Sequence, residues 1–173
     1  MKSVARFEKV SFEQFLKDFK DTYPIDDAII KKIYDNIKLP KRATVGSAGY
    51  DFYAPVEIRL NPGETAKIPT GIRSYIENGY VLEIYPRSGL GFKYRLQLNN
   101  TVGIIDSDYY NSKNEGHIFI KVTNDSNESK SLVVNEGDGF AQGIFKEFFI
   151  TYDDMTDGIR DGGFGSTTKK ECK

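Results

Sequence analysis

Near residue 40 the spacing of apolar side chains changes, and that change does most to limit the folds open to this chain. Before it, Phe12, Phe15, Leu16 and Phe19 fall at i, i+3, i+4 and i+7, which makes one face of a helix. Ser11 is placed to cap that helix, with Gln14 as its capping-box partner. Tyr23-Pro24 breaks it, because the residue before a proline avoids the helical region. A second helix starts near Asp26, with Ile29, Ile33 and Ile37 in one row, Ile30 and Tyr34 beside them, and Leu39-Pro40 as its end. The first 38 residues therefore read as helical. Two short amphipathic helices cannot bury their stripes alone and must dock on a larger body.

After the change the period is two. Val56, Ile58 and Leu60 alternate with polar residues, Asn61-Pro62-Gly63 turns the chain, and Ala66 and Ile68 alternate next. Tyr80 to Tyr85, His117 to Thr123, Leu132 to Val134 and Phe140 to Phe149 are further strand-like stretches. Short strands spaced by turn residues indicate an all-β barrel or sandwich. No strand–helix alternation supports a doubly wound sheet. The 173 residues suit one domain with a small appendage. The expected division is a helical extension at 1–38, a β body at 39–152 and a tail at 153–173. In the tail, Asp153, Asp154, Asp157 and Asp161 mix with Gly158, Gly162, Gly163 and Gly165, which cannot build a core and read as a mobile segment.

Charge and composition exclude several functions. With 24 basic and 25 acidic residues, no basic excess exists to bind nucleic acid by counterion release, although one nucleotide needs only a local cationic site. The single Cys172 allows no disulfide within the chain, so the cytoplasm is the expected compartment. The opening residues MKSVARFEKV carry no apolar signal core, and no apolar run approaches the ~18 residues of a membrane span. The lone His117 lies in a strand pattern and reads as structural. No His/Cys cluster suits zinc, and one histidine without a nucleophile elbow supports no serine triad.

Five stretches use residues that a core or a generic turn would not choose. Ser47-Ala48-Gly49-Tyr50-Asp51 reads either as a turn into a strand or as a close backbone approach with Asp51 holding a metal-bound water. Pro86-Arg87-Ser88-Gly89-Leu90-Gly91 is a strand-to-helix turn or a phosphate cradle of guanidinium, hydroxyl and free N–H groups. Gly103-Ile104-Ile105-Asp106-Ser107-Asp108-Tyr109 is a capped hairpin, or a buried strand delivering a carboxylate that can deprotonate water. Asn100, just upstream, offers both a donor and an acceptor, and Tyr109 a flat face for a sugar or base. In Gly137-Asp138-Gly139-Phe140-Ala141-Gln142 the amide of Gln142 stands among apolar residues, where it must find partners. Arg160-Asp161-Gly162-Gly163-Phe164-Gly165-Ser166-Thr167 is not a Walker loop, since no Lys precedes Ser166. It is a plain tail, or a lid in which Phe164 stacks on a base and glycine hinges allow closure.

Taken in order, SAGYDFYAP, PRSGLGFK, GIIDSDYYN, GDGFAQGIF and RDGGFGSTT resemble the five motifs of the trimeric dUTPase family, across roughly residues 40–168. The resemblance implies a jelly-roll-like β-barrel and a homotrimer whose active sites are shared between subunits. It implies hydrolysis of dUTP to dUMP and pyrophosphate, which limits uracil incorporation into DNA and supplies dUMP for thymidylate synthesis. By the same resemblance Asp106 activates the attacking water, and Tyr109 packs under the deoxyribose and excludes a 2′-hydroxyl. Asn100 and the backbone near Gly103 read uracil. Ser88, Gly89 and Gln142 hold phosphates beside Arg87. Phe164 covers the uracil, and Arg160, Gly165, Ser166 and Thr167 grip the phosphates. Mg²⁺ is held mainly by phosphate oxygens and water, with Asp51 near that water and no direct protein ligand. The family carries Glu-Arg where Asp138-Gly139 stand, and Gly where Asn111 stands, at a position that Asn can also occupy in left-handed form. The fifth motif is one residue shorter between Arg160 and Phe164. Two other readings fit parts of the pattern: the related dCTP deaminases, which the GGFGST tail disfavours, and a dUTPase-like regulatory protein whose N-terminal helices bind an unknown protein partner.

Overall fold

Residues 2–158 and 160 are described by the computed structural model, and the first element in them is a strand, β1 (Ala5–Lys9), where the sequence reading expects helix. β1 pairs antiparallel with β6 (Ile72–Ile76), Phe7 opposite Ser74. Only Ala5 and Phe7 mark its period, too few apolar residues to stand out before a strong helical stripe. The two helices then follow: α1 (Phe12–Thr22) and α2 (Asp27–Asn36). Ser11 caps α1 by accepting from the Gln14 N–H at 3.1 Å. Gln14 does not reach back as a capping box implies; its amide donates to Asp18 at 2.8 Å. Asp26 caps α2 through the Ala28 N–H, and Tyr23 ends α1 before Pro24. The face of α2 is rotated from the expected row: Ile30 and Ile33 are buried while Ile29 is 50% exposed.

The remaining strands are β2 (Lys41–Arg42), β3 (Tyr50–Tyr53), β4 (Ile58–Leu60), β5 (Thr65–Pro69), β7 (Tyr80–Pro86), β8 (Leu96–Leu98), β9 (Gly103–Ile105), β10 (Phe119–Asn124), β11 (Leu132–Val134) and β12 (Gly139–Glu147). A third helix, α3 (Ser88–Tyr94), and a 3-10 helix at Ser107–Asn111 carry two of the singled-out stretches. The molecule is thus mainly β, with three short helices. Pairing is antiparallel throughout the described residues, in four sheets: β1-β6, β5-β10-β8, β11-β4 and β2-β3-β12-β7-β9.

One core lies among the strands, with Phe52, Ile68, Leu82, Ile84, Ile118, Ile120, Leu132 and Phe140 fully buried. A second lies under the helices and comprises Val10, Phe15, Phe19, Ile30 and Ile33. Burying each such side chain contributes about 1.5–3 kcal/mol, so the helices are held on the β body by a substantial apolar contact. Ile37 packs against both cores and joins them. Among the described residues no helix is long and apolar enough to cross a membrane.

Candidate active site

The five-stranded sheet brings four of the five singled-out stretches into one frame. Asp51 on β3 sits opposite Gln142 on β12, and Gln142 sits opposite Tyr85 on β7. Arg87 follows β7 directly. Its Nε lies 3.1 Å from the Asp51 carboxylate, and its Nη1 donates to the Gly139 carbonyl at 3.3 Å. A side chain at position 139 would start 2.9 Å from that same Nη1, so the glycine leaves the space that the Arg87 side chain occupies. A larger residue at position 139 could not be placed without moving Arg87. Gln142 is partly buried, and its amide finds a partner by donating to the Pro86 carbonyl at 3.2 Å. Gly49 lies against it: a Cβ there would meet Gln142 Oε1 at 2.6 Å.

Arg87, Ser88, Gly89, Asp138 and Gly139 line one side of an open groove of about 500 Å³, with Leu90, Val133 and Val134. Ser88 and Gly89 lie in the first turn of α3, where backbone N–H groups have no helical acceptor. The groove therefore offers a guanidinium, a hydroxyl and free N–H donors, a set suited to a polyanion.

The third stretch forms a second group. The connection from β8 to β9, which lie in different sheets, turns through Asn100 and Thr101, with Thr101 in left-handed form at φ 65° and its N–H on the Leu98 carbonyl at 2.9 Å. Gly103 opens β9 opposite Ile84. Asp106 precedes the 3-10 helix, and Tyr109 is buried within it. The Tyr109 hydroxyl donates to the His117 carbonyl at 2.7 Å and accepts from the Asn114 amide at 2.8 Å. Burial pushes its phenol above the usual value, against the Asn114 hydrogen bond. Arg160 donates to Asp106 and, at 2.7 Å, to Asp108, with its guanidinium carbon 5.8 Å from the Tyr109 ring centre. The shortened spacing after Arg160 thus coexists with a guanidinium seated on the carboxylate pair. Asn111, expected in a left-handed turn, is part of the 3-10 helix instead; the left-handed positions fall at Glu115 (φ 57°) and Gly116 (φ 71°). Phe164, Gly165, Ser166 and Thr167, with the rest of residues 161–173, lie outside the described residues.

The two groups do not meet within the chain. Leu82 pairs with Ile105, which sets Asp106 near the start of β7, while Arg87 follows its end. Five to six residues of strand at about 3.3 Å each separate them by roughly 20 Å. Sequence order carries no sign of this separation, since both stretches belong to one pattern. Sequence reading also passes over Arg73 and Glu115, and takes His117 as structural without placing it. Glu115 and His117 end the loop that carries Tyr109 and Arg73 bonds to it from β6, and only the strand register and the turn geometry reveal this. His117 is fully buried, and its ring bonds Asp18 and the Gly71 N–H.

Among the described residues no three His, Cys, Asp or Glu side chains converge. An all-protein metal cage does not fit. A hard cation bound through phosphate oxygens and water does, with Asp138 in the lining of the anion groove and the partly buried Asp51 beside it on Arg87.

Comparison with known proteins places the chain among similar sequences and folds. A family model described as dUTPase matches residues 35–168. A deoxyuridine 5′-triphosphate nucleotidohydrolase of Lactococcus lactis subsp. lactis is 43% identical over 134 residues, covering 76% of this chain and 88% of the relative. The crystal structure of dUTPase from Streptococcus mutans superposes with a TM-score of 0.61 at 33% identity, covering 84% of this chain and 97% of that one. A mutant dUTPase from phage phi11 of S. aureus, whose structure concerns the coordination of a structural Mg(II) ion, shares the fold with a TM-score of 0.61 at 20% identity, covering 90% and 98%.

Proposed function

The chain belongs to the dUTPase family, and from that premise we propose that it hydrolyses dUTP to dUMP and pyrophosphate at a site completed by a second copy of itself. The observation that carries this reading is the separation of Asp106 from Arg87 along β7. A water activated at one end cannot attack a phosphate cradled at the other, roughly 20 Å away. Juxtaposing Asp106 of one copy with the Arg87 groove of another resolves the geometry. Exposed apolar side chains support such assembly: Phe92 is 93% exposed, Phe149 86% and Ile150 71%, on faces that a homotrimer would cover. Residues 39–152 would then form the jelly-roll-like catalytic body, with 1–38 built onto it.

In the proposed reaction Asp106 takes a proton from a water, whose oxygen attacks the α-phosphorus. The bond from that phosphorus to its bridging oxygen breaks, and pyrophosphate leaves. Arg87, Ser88, the Gly89 N–H and Gln142 stabilise the charge on the phosphates as it shifts. Arg160 exchanges its carboxylate partners for phosphate as the tail closes, and Gly165, Ser166 and Thr167 add donors. Asn100 and the backbone beside Gly103 read uracil, and the tight backbone turn between β8 and β9 leaves no room for a 5-methyl group. Tyr109 lies under the deoxyribose, and Phe164 covers the base. Mg²⁺ would be held by the triphosphate and water, with Asp51 near that water while it holds Arg87, and would supply charge neutralisation. Pyrophosphate release measured with dUTP, dTTP, dCTP and UTP, with and without Mg²⁺, tests this reading. Release from dUTP alone, dependent on Mg²⁺, is expected; equal release from dTTP or UTP would refute it.

A further inference from the structure

The loop 106–117 carries both Asp106 and Tyr109, and the N-terminal segment grips it at three points. On β1, Glu8 accepts from the Tyr110 hydroxyl at 2.6 Å. At the start of α1, Ser11 donates to Glu115 twice, from its N–H at 2.7 Å and its hydroxyl at 2.6 Å. Within α1, Asp18 lies 2.6 Å from His117 Nδ1. His117 Nε2 accepts the Gly71 N–H at 2.8 Å, so the ring proton sits on Nδ1 and is donated to Asp18.

These contacts act on a turn with an unfavourable backbone conformation. Glu115 is a non-glycine residue at φ 57°, a conformation that its Cβ disfavours. Gly116 follows at φ 71°, packed so closely that a Cβ would stand 2.7 Å from the Tyr109 carbonyl oxygen and 2.8 Å from Tyr110 Cα. The turn is therefore a mould for the backbone of Tyr109. It also holds the other end of that residue, because the Tyr109 hydroxyl bonds the His117 carbonyl and Asn114. From the β body, Arg73 steadies the loop by donating to the Tyr110 carbonyl at 2.8 Å.

We propose that the N-terminal segment is a specificity clamp: Ser11 on Glu115 and Asp18 on His117 fix the 112–117 turn, and the turn fixes Tyr109 at the distance that rejects a 2′-hydroxyl. The inference rests on the proposed role of Tyr109 under the deoxyribose. It assigns Glu115, Asp18 and His117 as positioning residues and gives the helices a catalytic purpose rather than a decorative one. A wall that rejects one added oxygen must not yield, and a short helix alone would yield. A steric selector is as selective as its support is stiff.

The test compares kcat/KM for dUTP and UTP in the full chain and its variants. Glu115→Gly removes the clamp while suiting the left-handed backbone, so the fold should survive. Glu115→Gln keeps one acceptor and one donor for Ser11 and serves as rescue. Asp18→Ala removes the second hold, and Asp18→Asn keeps an acceptor for His117. The clamp predicts that Glu115→Gly and Asp18→Ala each lower the dUTP/UTP ratio about tenfold, mainly by improving UTP, while Glu115→Gln and Asp18→Asn restore most of it. Equal losses on both substrates, an unchanged ratio, or unfolding of both Glu115→Gly and Asp18→Ala would overturn the clamp and leave these contacts as stabilising only. A parent protein that fails to prefer dUTP over UTP would instead overturn the role of Tyr109, a distinct result read before any variant is made.

Discussion

Gly49→Ala should separate activity from stability in this fold. The new methyl would stand 2.6 Å from Gln142 Oε1 and 3.5 Å from its Cδ, and nothing else lies closer than 3.6 Å. The obstructing atoms are the far end of a flexible side chain, so the amide swings away and its bond to the Pro86 carbonyl is lost. That loss costs about 1 kcal/mol of stability. Replacing glycine at an ordinary backbone angle returns about 0.4–1 kcal/mol by restricting the unfolded chain. The net change in a urea midpoint should therefore lie within about 1 kcal/mol of zero. Activity should respond differently. If Gln142 holds a phosphate, removing one hydrogen bond to a charged group costs about 1.5–3 kcal/mol, or about ten- to a hundredfold in kcat/KM for dUTP. Gln142→Ala should lose the same amount, and the double variant no more than either, because both changes remove one interaction. Additive losses, or full activity in Gly49→Ala, would refute the proposed phosphate contact of Gln142.

Gly116→Ala should destabilise the protein by about 2 kcal/mol or more in urea unfolding, since it adds a strained left-handed alanine to a clash with backbone at 2.7 Å. Arg160→Ala should leave the thermal midpoint nearly unchanged, because its partners Asp106 and Asp108 are about half exposed, yet it should cut dUTP turnover at least tenfold in a pyrophosphate assay. Asp18 links stability to acid. Burial pushes its carboxyl up, but hydrogen bonds from His117 and Gln14 outweigh burial and hold it below the usual value. Its stabilising contribution is therefore complete above the ordinary carboxylate range of about 4 and is lost as pH falls through the lowered value. The stability gap between the parent and Asp18→Asn, followed by urea unfolding from pH 6 down to about 3, should narrow toward acid; a gap that widens would reverse the sign argued here.

The sequence made several strands legible: Leu132–Val134 is a strand as read, Tyr80–Tyr85 lies within β7, and the alternation at Val56, Ile58 and Leu60 marks β4, which starts only at Ile58. Ser11 marked the start of the first helix to the residue, and the second helix starts beside Asp26, near which it was expected. What stayed hidden depends on distant partners. β1 has two apolar residues and exists because β6 offers it an edge. The capping box at Ser11 does not close because Glu115, far along the chain, takes the N–H that Gln14 would have bonded. α2 turns Ile30 inward and Ile29 outward to fit Phe15 and Phe19, a choice that spacing alone leaves open. Among the site residues, composition marked Arg87, Asp106 and Gln142 as unusual for their surroundings. It could not show that Asp106 and Arg87 stand at opposite ends of one strand, because that follows from register.

That separation also supplies the most direct test. Asp106→Asn and Arg87→Ala should each abolish dUTP hydrolysis alone. Unfolded together in equal amounts and refolded as mixed assemblies, they should recover about a quarter of the parent activity, because random pairing places an intact Asp106 beside an intact Arg87 at one contact in four. Recovery of that order is the result predicted for a site shared between copies. No recovery, from a mixture shown to contain mixed assemblies, would contradict it and return the whole reaction to a single chain.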